Sequence, residues 1–171
     1  RKDPTMEIER KFTVRTLPVN LDSYPCRIIE QAYLNTDPVV RIRREDDSYY
    51  LTYKGKGLLA REEYNLPLNE ESYYHLREKA DGNIISKKRY VIPIEHPQFD
   101  PTYVSSKGNL IDQFSLCVEL DIFEPPFAPL IIAEVEFPDE ETAEAFLPLD
   151  WFSQDVTNDP AYHNSNLSKV R

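Results

Sequence analysis

Apolar and polar residues alternate along most of the chain with a period of two. In MEIERKF, Met6 to Phe12, an extended backbone places Ile8 and Phe12 on one side and Glu7, Glu9 and Lys11 on the other, with Arg10 the charged exception on the apolar side. The same alternation predicts strands over Ile28 to Asn35, Val39 to Arg44, Ser48 to Lys54, Arg61 to Leu68, Ile85 to Pro93, Ser115 to Phe123 and Ile131 to Phe137. Turn chemistry joins neighbours at Asp46-Asp47, at Lys54-Gly55-Lys56-Gly57 and in the proline-rich Glu124 to Pro129, so adjacent strands should pair antiparallel. Helical signals are fewer. Asn69 to Ala80 has an N-cap in Asn69, a stripe of Tyr73, Leu76 and Ala80, and Gly82 just beyond its end. Asp139 to Phe146 opens on three acids and stops before Pro148. Val19 to Tyr24 is too short to assign, and Gln98 to Asn109 reads as a loop. Leu149 to Thr157, which holds the single tryptophan Trp151, reads as a structural plug or cap in which the indole packs.

The polar faces repeat one device. Arg41 and Arg43 share a side opposite Val40 and Ile42, and Tyr50, Thr52 and Lys54 lie opposite Leu51 and Tyr53. Glu63 and Asn65 oppose Tyr64, Leu66 and Leu68; Lys87 pairs in parity with Arg89, Glu119 with Asp121, and Glu134 with Glu136. A half-buried sheet with a wetted outer face would explain any one strand. It does not explain why like charges recur two residues apart, since these repel unless something of opposite charge sits between them.

Composition narrows the picture. A chain of 171 residues, 40% hydrophobic and 12% aromatic, fits one domain over residues 6–171 with a sizeable core; residues 1–5, ahead of the sole methionine Met6, read as a remnant preceding the natural start. The formal net charge of -10 argues against a nucleic-acid surface, although positive charge can still gather in one cleft. Two cysteines, Cys26 and Cys117, are too few for a disulfide scaffold and read as buried or half-buried thiols, which fits a reducing cytoplasm. No apolar run spans a bilayer, so no membrane partner is expected. Strand edges leave room for a homodimer without singling out an interface.

Two guests would relieve the like-charge pairs. Carboxylates without cysteine or clustered histidine are hard oxygen ligands that suit Mg²⁺ or Mn²⁺, and the arginine and lysine pairs suit phosphate oxygens. A site for both is a phosphoryl-transfer site. Eight candidate strands and two helices predict an α+β chain, mainly antiparallel β, with one large sheet or barrel; if the sheet closes on itself with the charged faces inward, acids and bases line a tunnel and the aliphatic faces pack outward against a few helices.

The ordered set of residues resembles the CYTH domain, the triphosphate tunnel metalloenzymes. The resemblance starts at Glu7, Glu9 and Lys11 and continues through Gln31 and Tyr33, Arg41 and Arg43, Lys54, Lys87 with Arg89-Tyr90, Glu119 with Asp121, and Glu134 to Phe137. It ends with Asp155 to Thr157 and Tyr162, Asn164, Asn166 and Leu167. It implies an eight-stranded antiparallel tunnel and a cation-dependent triphosphate site. Lys11, Arg41, Arg43, Lys54, Lys87 and Arg89 would then hold the phosphates. Glu7, Glu9, Glu119, Asp121, Glu134 and Glu136 would supply the metal shell, with Lys11, Glu9 and Glu136 closest to the chemistry. Asn65 departs from the family pattern, which often has an acid there, and leaves Glu63 without an acidic companion. The implied reaction is hydrolysis of a small-molecule triphosphate, foremost inorganic tripolyphosphate, to diphosphate and phosphate. The rivals are a thiamine triphosphatase, a class IV-type adenylate cyclase and a non-catalytic binder of polyphosphate or nucleotide.

Overall fold

The structure, a computed structural model, describes residues 6–169; the expectation for residues 1–5 lies outside them. Nine strands form one antiparallel sheet: β1 (Met6–Val14), β2 (Cys26–Thr36), β3 (Val39–Glu45), β4 (Ser48–Lys54), β5 (Ala60–Leu68), β6 (Asp81–Ile94), β7 (Leu116–Phe123), β8 (Ile131–Glu136) and β9 (Phe152–Asp155). Their order is β5-β4-β3-β2-β6-β7-β8-β1, and pairing of β5 with β1 closes the first eight into a barrel. Closure leaves one edge of β1 shared: Met6 to Ile8 pair with β5, while Phe12 and Val14 pair with the short β9. The segment expected to be a cap is thus in part a ninth strand. Its Trp151 packs edge-on against Phe152, with ring centroids 4.7 Å apart, in the outer core.

The apolar sides of the strands point out of the barrel and are covered. Ile8, Phe12, Val118, Leu120, Ala133 and Val135 pack under α2 (Pro101–Lys107) and α3 (Glu140–Ala145) through Tyr103, Ala143 and Phe146. Across the barrel, Ala32 and Ile42 are covered by Tyr73 of α1 (Glu70–Arg77). That helix starts where predicted, with Asn69 accepting from Ser72 N, but is shorter than its apolar stripe suggested. The α2 helix corrects the loop expected around Gln98 to Asn109: Asp100 caps it by accepting from Thr102 N, and Pro101 occupies its first position. Arg10, the exception on the apolar side, stays there by donating to the carbonyls of Ala143 and Phe146 at 2.9 and 2.7 Å and to Asp155 at 2.8 Å, with its guanidinium over the Phe12 ring.

A third apolar cluster lies inside the barrel. Tyr33, Val39, Ile85, Phe123 and Ile132 share inward parity with the charged residues and meet Leu167 of α4 (Asn164–Leu167). They close one end, so the tunnel is a cup. Cys26 and Cys117, expected to be buried or half-buried, are both exposed and stand at the starts of β2 and β7.

Candidate active site

The alternation that sends aliphatic side chains outward sends the charged ones inward, and the register then decides which meet. Lys11 on β1 lies opposite Glu134 on β8, Lys54 opposite Glu63, Glu7 opposite Arg61, and Arg89 opposite Asp121. Three pairings bring like charges together: Glu9 opposite Glu136, Glu119 opposite Glu134, and Arg27 opposite Arg89. Directly opposed like charges destabilise a sheet, so these positions mark where the fold gives up stability.

A cavity of about 210 Å³ runs between these residues. Glu7, Glu9, Lys11, Arg41, Arg43, Lys54, Arg89, Glu119, Glu134 and Glu136 all line it, which is ten of the twelve site residues named from the sequence. Lys87 and Asp121 face inward but lie beneath the lining. Lys87 Nζ donates to Asp121 Oδ2 at 2.6 Å, and Arg89 Nε and Nη2 donate to the two oxygens of the same carboxylate at 2.7 and 2.9 Å. Asp121 therefore holds two cations in place and has little capacity left for a third. Glu136 stands at the exposed rim.

Arg27, Glu45, Arg61, Tyr50 and Ser165 also line the cavity and were not assigned a site role from sequence. Arg61 was findable, since it shares parity with Glu63. Ser165, on α4, reaches the cavity only through tertiary packing. Asn65 does not leave Glu63 unattended: its Nδ2 donates to Glu63 Oε1 at 3.0 Å, and Glu63 Oε2 is 3.7 Å from Lys54 Nζ.

Most cations in the cup are already paired. Lys54 Nζ donates to Glu7 at 2.8 Å, Lys11 Nζ is 3.6 Å from Glu134, and Arg89 donates to Glu119 at 2.9 Å. Burial works to raise the Glu7 and Glu134 carboxyls, but Lys54 beside the first and Lys11 and Arg89 beside the second outweigh it and hold both below the usual range. Glu119 goes the other way, pushed up by burial and by Glu134 despite Arg89. Burial lowers the Lys87 ammonium to about 8, with Arg89 adding to the effect against the pull of Asp121.

Two features break this balance. Arg41 and Arg43 have no carboxylate within ion-pair distance among the described residues; Arg43 is held by the neutral amide of Gln31, and Tyr33 lies beside Arg41. Glu9 is the converse. It is 9% exposed and has no hydrogen-bond or ion-pair partner among the described side chains, and burial together with Glu134 and Glu7 raises its carboxyl well above the usual range. A buried carboxyl under that pressure takes up a proton or a cation. The surrounding donors are carboxylate oxygens, the chemistry of Mg²⁺ or Mn²⁺ sites, although no three acidic, histidine or cysteine side chains among the described residues stand at ligating spacing.

Fold and site together define a class: a closed antiparallel barrel whose interior is a cup lined by charges of both signs. The chain belongs to the CYTH domain family, whose profile matches residues 5–148. It is 35% identical over 166 residues to a protein named inorganic triphosphatase from Nitrosomonas europaea, covering 95% of this chain and 96% of that one. A second protein of that name, from Acetivibrio thermocellus, is 34% identical over 174 residues, with 95% and 93% covered. A crystal structure described as an inorganic triphosphatase superposes with a TM-score of 0.63 at 30% identity, covering 96% of this chain and 95% of the other.

Proposed function

We propose that this chain hydrolyses inorganic tripolyphosphate to diphosphate and phosphate with the help of Mg²⁺ or Mn²⁺. The observation that carries the reading is the presence, in one enclosed cavity, of guanidinium groups without carboxylate partners and a carboxyl group without a cationic one. An anion satisfies the first and a cation the second. The two relatives named inorganic triphosphatase support the choice of anion.

In this reading Arg41 and Arg43 receive the end of the phosphate chain that enters first, because the apolar floor below them prevents threading. Lys11, Lys54 and Arg89 exchange part of their carboxylate contacts for phosphate oxygens. Asp121 and Lys87 position Arg89 from beneath. Glu7, Glu9, Glu134 and Glu136 would hold the divalent ion, which when bound neutralises charge on phosphate oxygens and acidifies water.

A panel of inorganic tripolyphosphate, thiamine triphosphate, ATP and longer polyphosphate, each with Mg²⁺ or Mn²⁺, tests the proposal. The expected result is fastest phosphate release from tripolyphosphate. Cyclic AMP from ATP would indicate a cyclase, and tight binding with no release from any of them a receptor.

A further inference from the structure

We propose that Gln31 is a positioning residue that aims Arg43 at the bound anion while leaving its charge unspent. The register of β2 against β3 sets Gln31 directly opposite Arg43. Both Nε and Nη2 of Arg43 donate to the single Oε1 of Gln31, at 3.2 and 2.8 Å. Gln31 is fully buried, so this geometry is fixed by packing and is not a transient surface contact.

The significance lies in what the other cations have instead. Lys11, Lys54, Lys87 and Arg89 are each oriented by a carboxylate, which fixes the cation but also neutralises it. An arriving phosphate must compete with that carboxylate, whose negative charge an amide oxygen lacks. Arg43 gains orientation without a competitor. Its other close neighbours do not neutralise it either: the Tyr50 hydroxyl beside it donates to Glu45 at 2.7 Å, and Arg41 and Arg89 repel it. Buried donors are in surplus around it, since Gln31 Nε2 and Arg41 Nε have no hydrogen-bond partner. A glutamate at position 31 would keep the two bonds and relieve the repulsion, which would favour the fold. An amide there favours the guest.

This inference rests on the function proposed above only for the identity of the anion. Calorimetric binding of inorganic tripolyphosphate, with a chelator present, tests it in the whole chain. Gln31→Met should weaken binding at least tenfold, yet change it less than twofold in an Arg43→Met background, because Gln31 acts through Arg43. Gln31→Glu, which retains the acceptor and the shape, should also weaken binding at least tenfold without lowering the melting temperature. Wild-type affinity in either single variant, or equal losses from Gln31→Met in both backgrounds, overturns the proposal. Should Gln31→Met fail to fold, Gln31→Glu decides alone. A wild-type chain that binds tripolyphosphate but releases no phosphate with Mg²⁺ or Mn²⁺ would refute the hydrolase reading and leave this inference standing. One that does not bind it at all refutes both.

Discussion

The Glu9 carboxyl is buried and faces Glu134 and Glu7, so ionising it costs the folded state free energy. A group whose proton affinity is raised on folding stabilises the protein in acid, and that contribution is lost as pH rises through its folded pKa. Glu9→Gln should therefore raise the melting temperature of the metal-free protein at neutral pH by about 2–4 °C, the response of a chain this size to roughly 1 kcal/mol. Below the usual carboxylate range, wild type and variant should converge. The same substitution removes a carboxylate placed to hold the divalent ion and should lower phosphate release from tripolyphosphate by about 10-fold or more. His163 has the opposite linkage. Burial, with Lys11 and Arg61 nearby, lowers it from 6.5 to about 4, so between those values the unfolded chain binds a proton that the folded one refuses. Melting curves should show wild type losing stability as pH falls through that window, and His163→Asn losing less. At this scale parity was a good guide: ten of twelve named side chains line the cup. Parity could not separate Lys87 and Asp121 from the lining, because depth along the barrel depends on the register between strands.

Arg10 shows how the strands hold their neighbours. Its guanidinium ties β1 to the last carbonyls of α3 and to Asp155 of β9, so one side chain joins three elements. Arg10→Met should destabilise the chain by about 2 kcal/mol, within the range for hydrogen bonds to charged groups, and lower the melting temperature by about 4–8 °C. Arg10 lies on the outer face, so the KM for tripolyphosphate should stay unchanged; a large KM change would show that β9 shapes the cup. The eight barrel strands were readable because each is long enough for alternation to register. The β9 strand is four residues long and follows a proline-containing stretch, so its pairing with β1 comes from tertiary context. The α2 helix was missed for a different reason. Its start signal, Asp100-Pro101, is plain, but the seven residues that follow bury only Tyr103 and show little apolar periodicity.

Across the whole molecule, a net charge of -10 coexists with an interior cup in which lysines and arginines gather among carboxylates. Overall sign says little about such a protein, because the lysines, arginines and carboxylates of one buried cup act locally while charges on the outside are solvated. The blind end was the least legible feature. On four strands the inward face passes from charge to apolar side chain, Arg41 to Val39, Lys87 to Ile85, Asp121 to Phe123 and Glu134 to Ile132, but only closure of the barrel shows that these apolar ends converge on Leu167. Because the cup binds its ligand only when folded, tripolyphosphate at 100 times its Kd should stabilise the chain by about 2.7 kcal/mol, visible as a raised melting temperature. Phosphorus NMR of inorganic tripolyphosphate incubated with the protein and Mg²⁺ or Mn²⁺ tests the central claim most directly. The account predicts that tripolyphosphate disappears as orthophosphate and pyrophosphate grow in equal amounts, and that neither grows when a chelator is present. Tripolyphosphate left intact with both metals, or equal cleavage in the chelator control, would contradict it.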